Sequence, residues 1–127
     1  MAKKIHYIED NPANVFLMEM VFRQFEGFDL TISKCAESGL ESIYNSAPNL
    51  ILMDKDLPKM SGIEAIAQLK ADDNYQAIPI ILLTADNTDK TREEALGVGC
   101  NEVKHKPFDI PDLFNTIKQL LDHSTNK

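Results

Sequence analysis

Leu50-Ile51-Leu52-Met53-Asp54-Lys55-Asp56-Leu57-Pro58 is the stretch that decides the fold: four apolar residues run straight into two carboxylates one residue apart, and a proline follows. An apolar run with no polar alternation fits a strand buried on both faces, as strands of parallel sheets are. Asp54 then falls at the carboxyl end of that strand. In open α/β sheets this is the edge where ligands bind. A carboxylate at that edge is placed for chemistry rather than for packing.

Working outward, the same alternation of strand and helix recurs. Ile5-His6-Tyr7-Ile8 reads as a strand ended by Glu9-Asp10, and Asn11 can cap a helix that has Pro12 at its first position. Val15, Met18, Phe22 and Phe25 give that helix an apolar face, and Gly27 is expected to close it. Leu30-Thr31-Ile32 is a second strand, and residues 38–46 form a second helix ended before Pro48. Beyond the central strand, residues 55–62 read as a loop, and Ile63, Ile66 and Leu69 mark a third helix broken at Asp72-Asp73-Asn74. Pro79-Ile80-Ile81-Leu82-Leu83 is a fourth strand ending in Thr84-Ala85, and residues 86–89 offer several caps for a fourth helix reaching Leu96. Asn101-Glu102-Val103-Lys104 is a weak, polar strand suited to a sheet edge, followed by the turn His105-Lys106-Pro107-Phe108. Asp109 can cap the last helix, where Ile110, Leu113, Phe114, Ile117, Leu120 and Leu121 form the clearest apolar stripe in the chain. Residues 122–127 are polar and are expected to fray. Five repeats of strand then helix predict an α/β fold, a parallel sheet with helices on both faces.

Composition narrows the function. The 127 residues suit one compact domain over residues 1–127, with a core of about 4–121. A net charge of −7 argues against nucleic acid or an anionic membrane as the main partner and leaves cations and proteins. No apolar run approaches the length of a membrane span. Cys35 and Cys100 are not spaced as a redox or zinc pair, so two reduced thiols in a cytoplasmic protein are expected. His6, His105 and His123 share no ligand spacing; His6 reads as a core-edge residue, and Met18, Met20, Met53 and Met60 read as packing.

The polar residues at the strand ends carry the chemistry. Glu9 and Asp10 follow the first strand, Asp54 ends the third, Thr84 ends the fourth and Lys106 follows the fifth. All lie at one edge of a parallel sheet, where they can converge. Clustered carboxylates repel unless a cation relieves them. Mg²⁺ suits a site of few carboxylates that keeps coordination positions for a phosphate. A carboxylate nucleophile, a metal, a lysine and a hydroxyl together make a phosphoryl-transfer site.

With these motifs placed, the sequence resembles the receiver domains of two-component response regulators over residues 4–121. The resemblance rests on Glu9-Asp10, on Leu50 to Asp54 with Leu57-Pro58-Lys59-Met60-Ser61-Gly62, on Leu83-Thr84-Ala85 and on Lys106-Pro107-Phe108. It implies a flavodoxin-like doubly wound sheet of order 2-1-3-4-5 with five helices in three α/β/α layers. Asp54 would accept a phosphoryl group from a phosphohistidine on a histidine kinase or histidine phosphotransfer protein. Glu9, Asp10, Asp54 and the backbone carbonyl of Asp56 would hold Mg²⁺. Lys106 would pair with phosphoryl oxygens, and Thr84 would move to bond them. Small Ala85 keeps Asp54 accessible, and the Lys106-Pro107 bond is expected to be cis. Such a chain acts on its own Asp54 rather than as a conventional enzyme. It would signal to a downstream protein, as a monomer or a weak phosphorylation-dependent dimer.

Two features depart from the family. Val103 stands where Tyr or Phe is common. Asp56 and Asp86 add negative charge at positions that tune phosphoryl lifetime. Asp54-Lys55-Asp56 also resembles the nucleophile motif of haloacid-dehalogenase-like phosphatases, with Asp56 as general acid/base, but the acidic pair Glu9-Asp10 lies upstream where that family has its pair downstream. A flavodoxin-like cofactor binder would need a glycine- and hydroxyl-rich phosphate loop after the first strand, and Glu9-Asp10-Asn11-Pro12 has the opposite charge.

Overall fold

A computed structural model describes residues 2–125 of the chain. Five strands and five helices alternate: β1 Lys3–Ile8, α1 Pro12–Arg23, β2 Phe28–Ser33, α2 Ala36–Asn45, β3 Leu50–Asp54, α3 Gly62–Lys70, β4 Ile80–Thr84, α4 Asp89–Gly97, β5 Glu102–His105 and α5 Ile110–Thr125. The strands form one parallel sheet of order β2-β1-β3-β4-β5, as expected. Every residue of β3 and β4 is buried, which is why these segments are apolar up to their last residues, Asp54 and Thr84, while β5 at the edge is not.

Strand alternation splits the core in two. Ile51, Met53, Ile80 and Leu82 point to one face and pack under α2, α3 and α4 with Leu40, Ile43, Ile66, Leu69 and Ala95. Leu50, Leu52, Ile81 and Leu83 point to the other and pack under α1 and α5 with Met18, Phe22, Leu113, Phe114 and Ile117. Phe114 gathers the aromatic residues of that second layer, stacking on Phe25 at 3.9 Å and meeting Phe22 at 4.8 Å. The rim that carries the acidic residues is thus set by two packed layers rather than by its own loops.

Caps account for the element boundaries. Asn11 accepts from the N–H groups of Ala13 and Asn14 with Pro12 at the first helical position, as read from the sequence. Ser61 and Glu64 form a reciprocal capping box on α3. Of the cap choices offered for the fourth helix, Thr88 is the one used, through Thr91 N–H. Asp109 accepts from Asp112 N–H at the start of α5.

Other boundaries moved. α1 ends at Arg23 rather than at Gly27, and Gly27, at φ +95°, turns the chain into β2 while its carbonyl accepts from Lys3 N–H. α2 begins at Ala36 because Cys35 caps it by accepting from Ser38 N–H. The fifth strand starts at Glu102, and Asn101 before it accepts at Oδ1 from Ile80 N–H and Lys70 Nζ. α5 continues through Thr125, past the expected start of fraying at Asp122, while residues 126–127 and the side chain of His123 lie outside the described residues. Met20, read as packing, is 42 % exposed beside Phe16 and Leu17 on the outer face of α1. His6 is buried, with Nε2 2.7 Å from Ser33 Oγ, and burial holds its pKa below the usual value.

Candidate phosphoryl-transfer site

Parallel pairing aligns the ends of β1, β3, β4 and β5, so their following residues share one rim. Glu9 and Asp54 are buried there at 1 % and 3 % exposure, and Asp10 is exposed. One carboxylate oxygen from each of Glu9, Asp10 and Asp54 lies within 4.8 Å of the others. Residues 45 apart in the sequence therefore make one acidic cup.

A single lysine serves the two buried carboxylates. Lys106 Nζ donates to Asp54 Oδ1 at 2.7 Å and to Glu9 Oε1 at 3.2 Å. Its main-chain N–H donates to Thr84 carbonyl oxygen at 2.8 Å, and the Lys106-Pro107 bond that follows is cis. Glu9 also accepts from Tyr7 Oη–H at 3.1 Å, Asn14 Nδ2 at 3.2 Å and Asn11 N–H at 3.3 Å.

These contacts separate the two acids. Burial pushes the Glu9 carboxyl up, but the Lys106 charge and the donors around it outweigh burial and hold it below its ordinary value. Burial also raises Asp54; the bond from Lys106 opposes this, the Glu9 charge adds to it, and the result stays above the usual aspartate range. The lysine is closer to Asp54, yet Glu9 is the more firmly ionised: the Lys106 charge leads and bonds from Asn11 N–H and Tyr7 Oη–H add to it, whereas the Glu9 and Asp56 charges push Asp54 up. Lys106 is held above its usual value: burial alone would lower it, and the carboxylates prevail.

Three hard oxygen donors at this spacing, with more negative charge than one ammonium offsets, fit a small divalent cation. Gly62 serves the same corner. A Cβ there would collide with the Asp54 carbonyl, and the Gly62 N–H donates to Lys55 carbonyl oxygen at 3.0 Å, folding the loop after β3 tightly back. Thr84 is buried at the same rim, with Oγ1 accepting from Asp86 N–H at 2.9 Å, and Ala85 is exposed beside it.

Asp56 is exposed, and its charge adds to the upward push on Asp54. Val103 is buried in the layer under α4. Sequence reasoning missed the polar cradle of Glu9, formed by Tyr7 and Asn14, and the ion pair between Lys55 and Asp86 at 3.3 Å. Tyr7 carried a signal: a phenol two residues before a carboxylate on one strand points to the same face.

The response regulator receiver domain model matches residues 5–118. The polar-differentiation response regulator DivK of Brucella anthropi is 32 % identical over 121 residues, covering 95 % of this chain and 98 % of its own. The receiver domain of a sensor histidine kinase from Pseudomonas aeruginosa PAO1, solved with magnesium coordinated in its active-site cleft, is 30 % identical with a TM-score of 0.86 over 96 % of this chain and 99 % of that one. A CheY-like receiver domain protein from Methanospirillum hungatei JF-1 is 27 % identical with a TM-score of 0.90, over 99 % and 98 % of the two chains. The phosphatase reading gains no support from these matches. Sheet order, rim and family match agree: the chain belongs to the response regulator receiver domains of two-component signalling.

Proposed function

We propose that Asp54 is the phosphoacceptor, taking a phosphoryl group from a phosphohistidine on a partner histidine kinase or phosphotransfer protein. The convergence of Glu9, Asp10 and Lys106 on Asp54 carries this reading. A carboxylate oxygen of Asp54 attacks phosphorus as the bond to the imidazole nitrogen breaks. The electron pair leaves with the imidazole, and an aspartyl phosphate remains. Glu9, Asp10, Asp54 and the main-chain carbonyl of Asp56 would hold Mg²⁺, which when bound neutralises charge on the transferring phosphoryl oxygens. Lys106, already bonded to Asp54, turns its ammonium to the new phosphoryl oxygens. Thr84 supplies a hydroxyl donor from the next strand. The resulting shift biases a protein-binding surface of α4, β5 and α5. The chain then acts as a signalling module on a downstream protein, as a monomer or a weak phosphorylation-dependent dimer.

The test is incorporation from acetyl phosphate with Mg²⁺, read by intact mass. One phosphoryl group per chain is expected, and none in Asp54→Asn. Retained labelling of Asp54→Asn would refute the assignment, and multiple turnover of small phosphomonoesters would favour a phosphatase.

A further inference from the structure

Asp86 lies two residues after Thr84, and its side chain is committed on both oxygens. Oδ1 accepts from Thr88 N–H at 2.9 Å. Oδ2 accepts from Thr91 Oγ1–H at 2.7 Å and from Lys55 Nζ at 3.3 Å. The Asp86 N–H is the group that donates to Thr84 Oγ1 at 2.9 Å. Lys55 is the residue after Asp54, and its own N–H donates to Leu83 carbonyl oxygen at 3.0 Å. One residue therefore connects the loop after β3 and the first turn of α4, through its carboxylate, with the hydroxyl of Thr84, through its N–H. The Thr91 hydroxyl and then the Thr88 contacts hold this carboxyl well below the usual aspartate range, so it stays ionised at neutral pH.

An acidic side chain beside a phosphoryl site could repel the incoming dianion or orient a hydrolytic water. Here the carboxylate is paired with Lys55 and spent on the Thr88 N–H and the Thr91 hydroxyl. Its consequence is mechanical. Rotating Thr84 about Cα–Cβ withdraws Oγ1 from the Asp86 N–H, and the side-chain bonds of Asp86 hold that N–H where it favours the resting rotamer.

We propose that Asp86 and Lys55 form a latch that holds the loop between β4 and α4 in its resting arrangement and so slows phosphoryl uptake at Asp54. They are positioning residues: neither delivers a group to phosphorus, and both act through Thr84. The latch deepens the acceptor reading of Asp54 and rests on it.

Asp86→Asn keeps an oxygen for Thr88 N–H but places an NH₂ where Thr91 and Lys55 donate. Lys55→Met removes the ion pair alone, and Lys55→Arg restores it. Initial labelling by acetyl phosphate with Mg²⁺ should quicken about two- to fivefold in Lys55→Met, the range of an exposed ion pair, and somewhat more in Asp86→Asn. The double variant should be no faster than Asp86→Asn, because the second change removes nothing further, and Lys55→Arg should label at the wild-type rate. Loss of Lys55 as a simple attractor of the anionic donor would slow labelling instead, so slower, unchanged or additive rates overturn the latch. Amide exchange of residues 86–92 in the unphosphorylated chain gives a readout free of phosphoryl chemistry: it should rise in Asp86→Asn and Lys55→Met alike, and unaltered exchange overturns the latch. A wild-type chain that takes no phosphoryl group overturns the acceptor reading and the latch's effect on uptake, while exchange still decides whether the tether exists.

Discussion

Lys106 and Lys55 stand at the same rim, each bonded to an aspartate and each with a side chain 24 % exposed, yet they do different work. The difference lies in the partners. Asp54 and Glu9 side chains are 5 % and 1 % exposed, whereas that of Asp86 is 33 % exposed. A charge buried without a partner is costly, and one that water can reach is not. Lys106 is therefore tied to the stability of two buried carboxylates, and Lys55 to a pair that water reaches.

The contrast can be broken most directly by removing each cation in turn. Lys106→Met should lower the unfolding free energy by about 3 kcal/mol at pH 7 without Mg²⁺, read from urea melts, because two buried carboxylates lose their shared ammonium. The loss should shrink on acidification, since both acids can then be neutralised by protons. It should also shrink with saturating Mg²⁺, because the cation replaces the missing charge and the metal ligands are intact; failure of Mg²⁺ to stabilise Lys106→Met would show that the lysine helps build the metal site.

A smaller effect separates the two buried acids. Asp54 has a folded pKa above its unfolded value, so the folded chain holds that proton more tightly and loses stability as pH rises through the raised value. Glu9 has the opposite sign: its contribution is present above the ordinary glutamate pKa and is lost as pH falls through the depressed folded value. The thermal stabilisation by Mg²⁺ should thus weaken at a pH where an ordinary aspartate would still be ionised, and the Asp54→Asn variant should lose that component. A Mg²⁺ effect that is flat down to the usual aspartate pKa would contradict the raised value.

The smallest effect belongs to Lys55→Met, which should leave the urea midpoint nearly unchanged while quickening labelling. A drop in stability as large as that of Lys106→Met would erase the distinction between the two lysines.

Much of this molecule was legible before folding. The uninterrupted apolar runs ending at Asp54 and Thr84 read as doubly covered strands, and both are wholly buried. Asn11-Pro12 announced a helix start and forms one. The apolar face read for α1 is the one that packs: Met18 and Phe22 are buried and Val15 and Phe25 lie against the same cluster, whereas Met20, read as packing, faces outward with Phe16 and Leu17. Hydrophobicity marks what can be buried, and only the area offered by the sheet decides what is.

The order of polar residues along the chain, each at or just past the end of a strand, was enough to place Glu9, Asp10, Asp54, Thr84 and Lys106 on one edge, because side-chain pattern and strand direction are local properties. Which of them touch was not. Lys106 reaches Glu9 across 97 positions, and Lys55 reaches Asp86 across 31. Those distances, the unequal pKa values of Glu9 and Asp54, and the choice of Asp86 as a tether follow from packing of two helical layers against one twisted sheet, since burial and partner geometry exist only once distant segments meet.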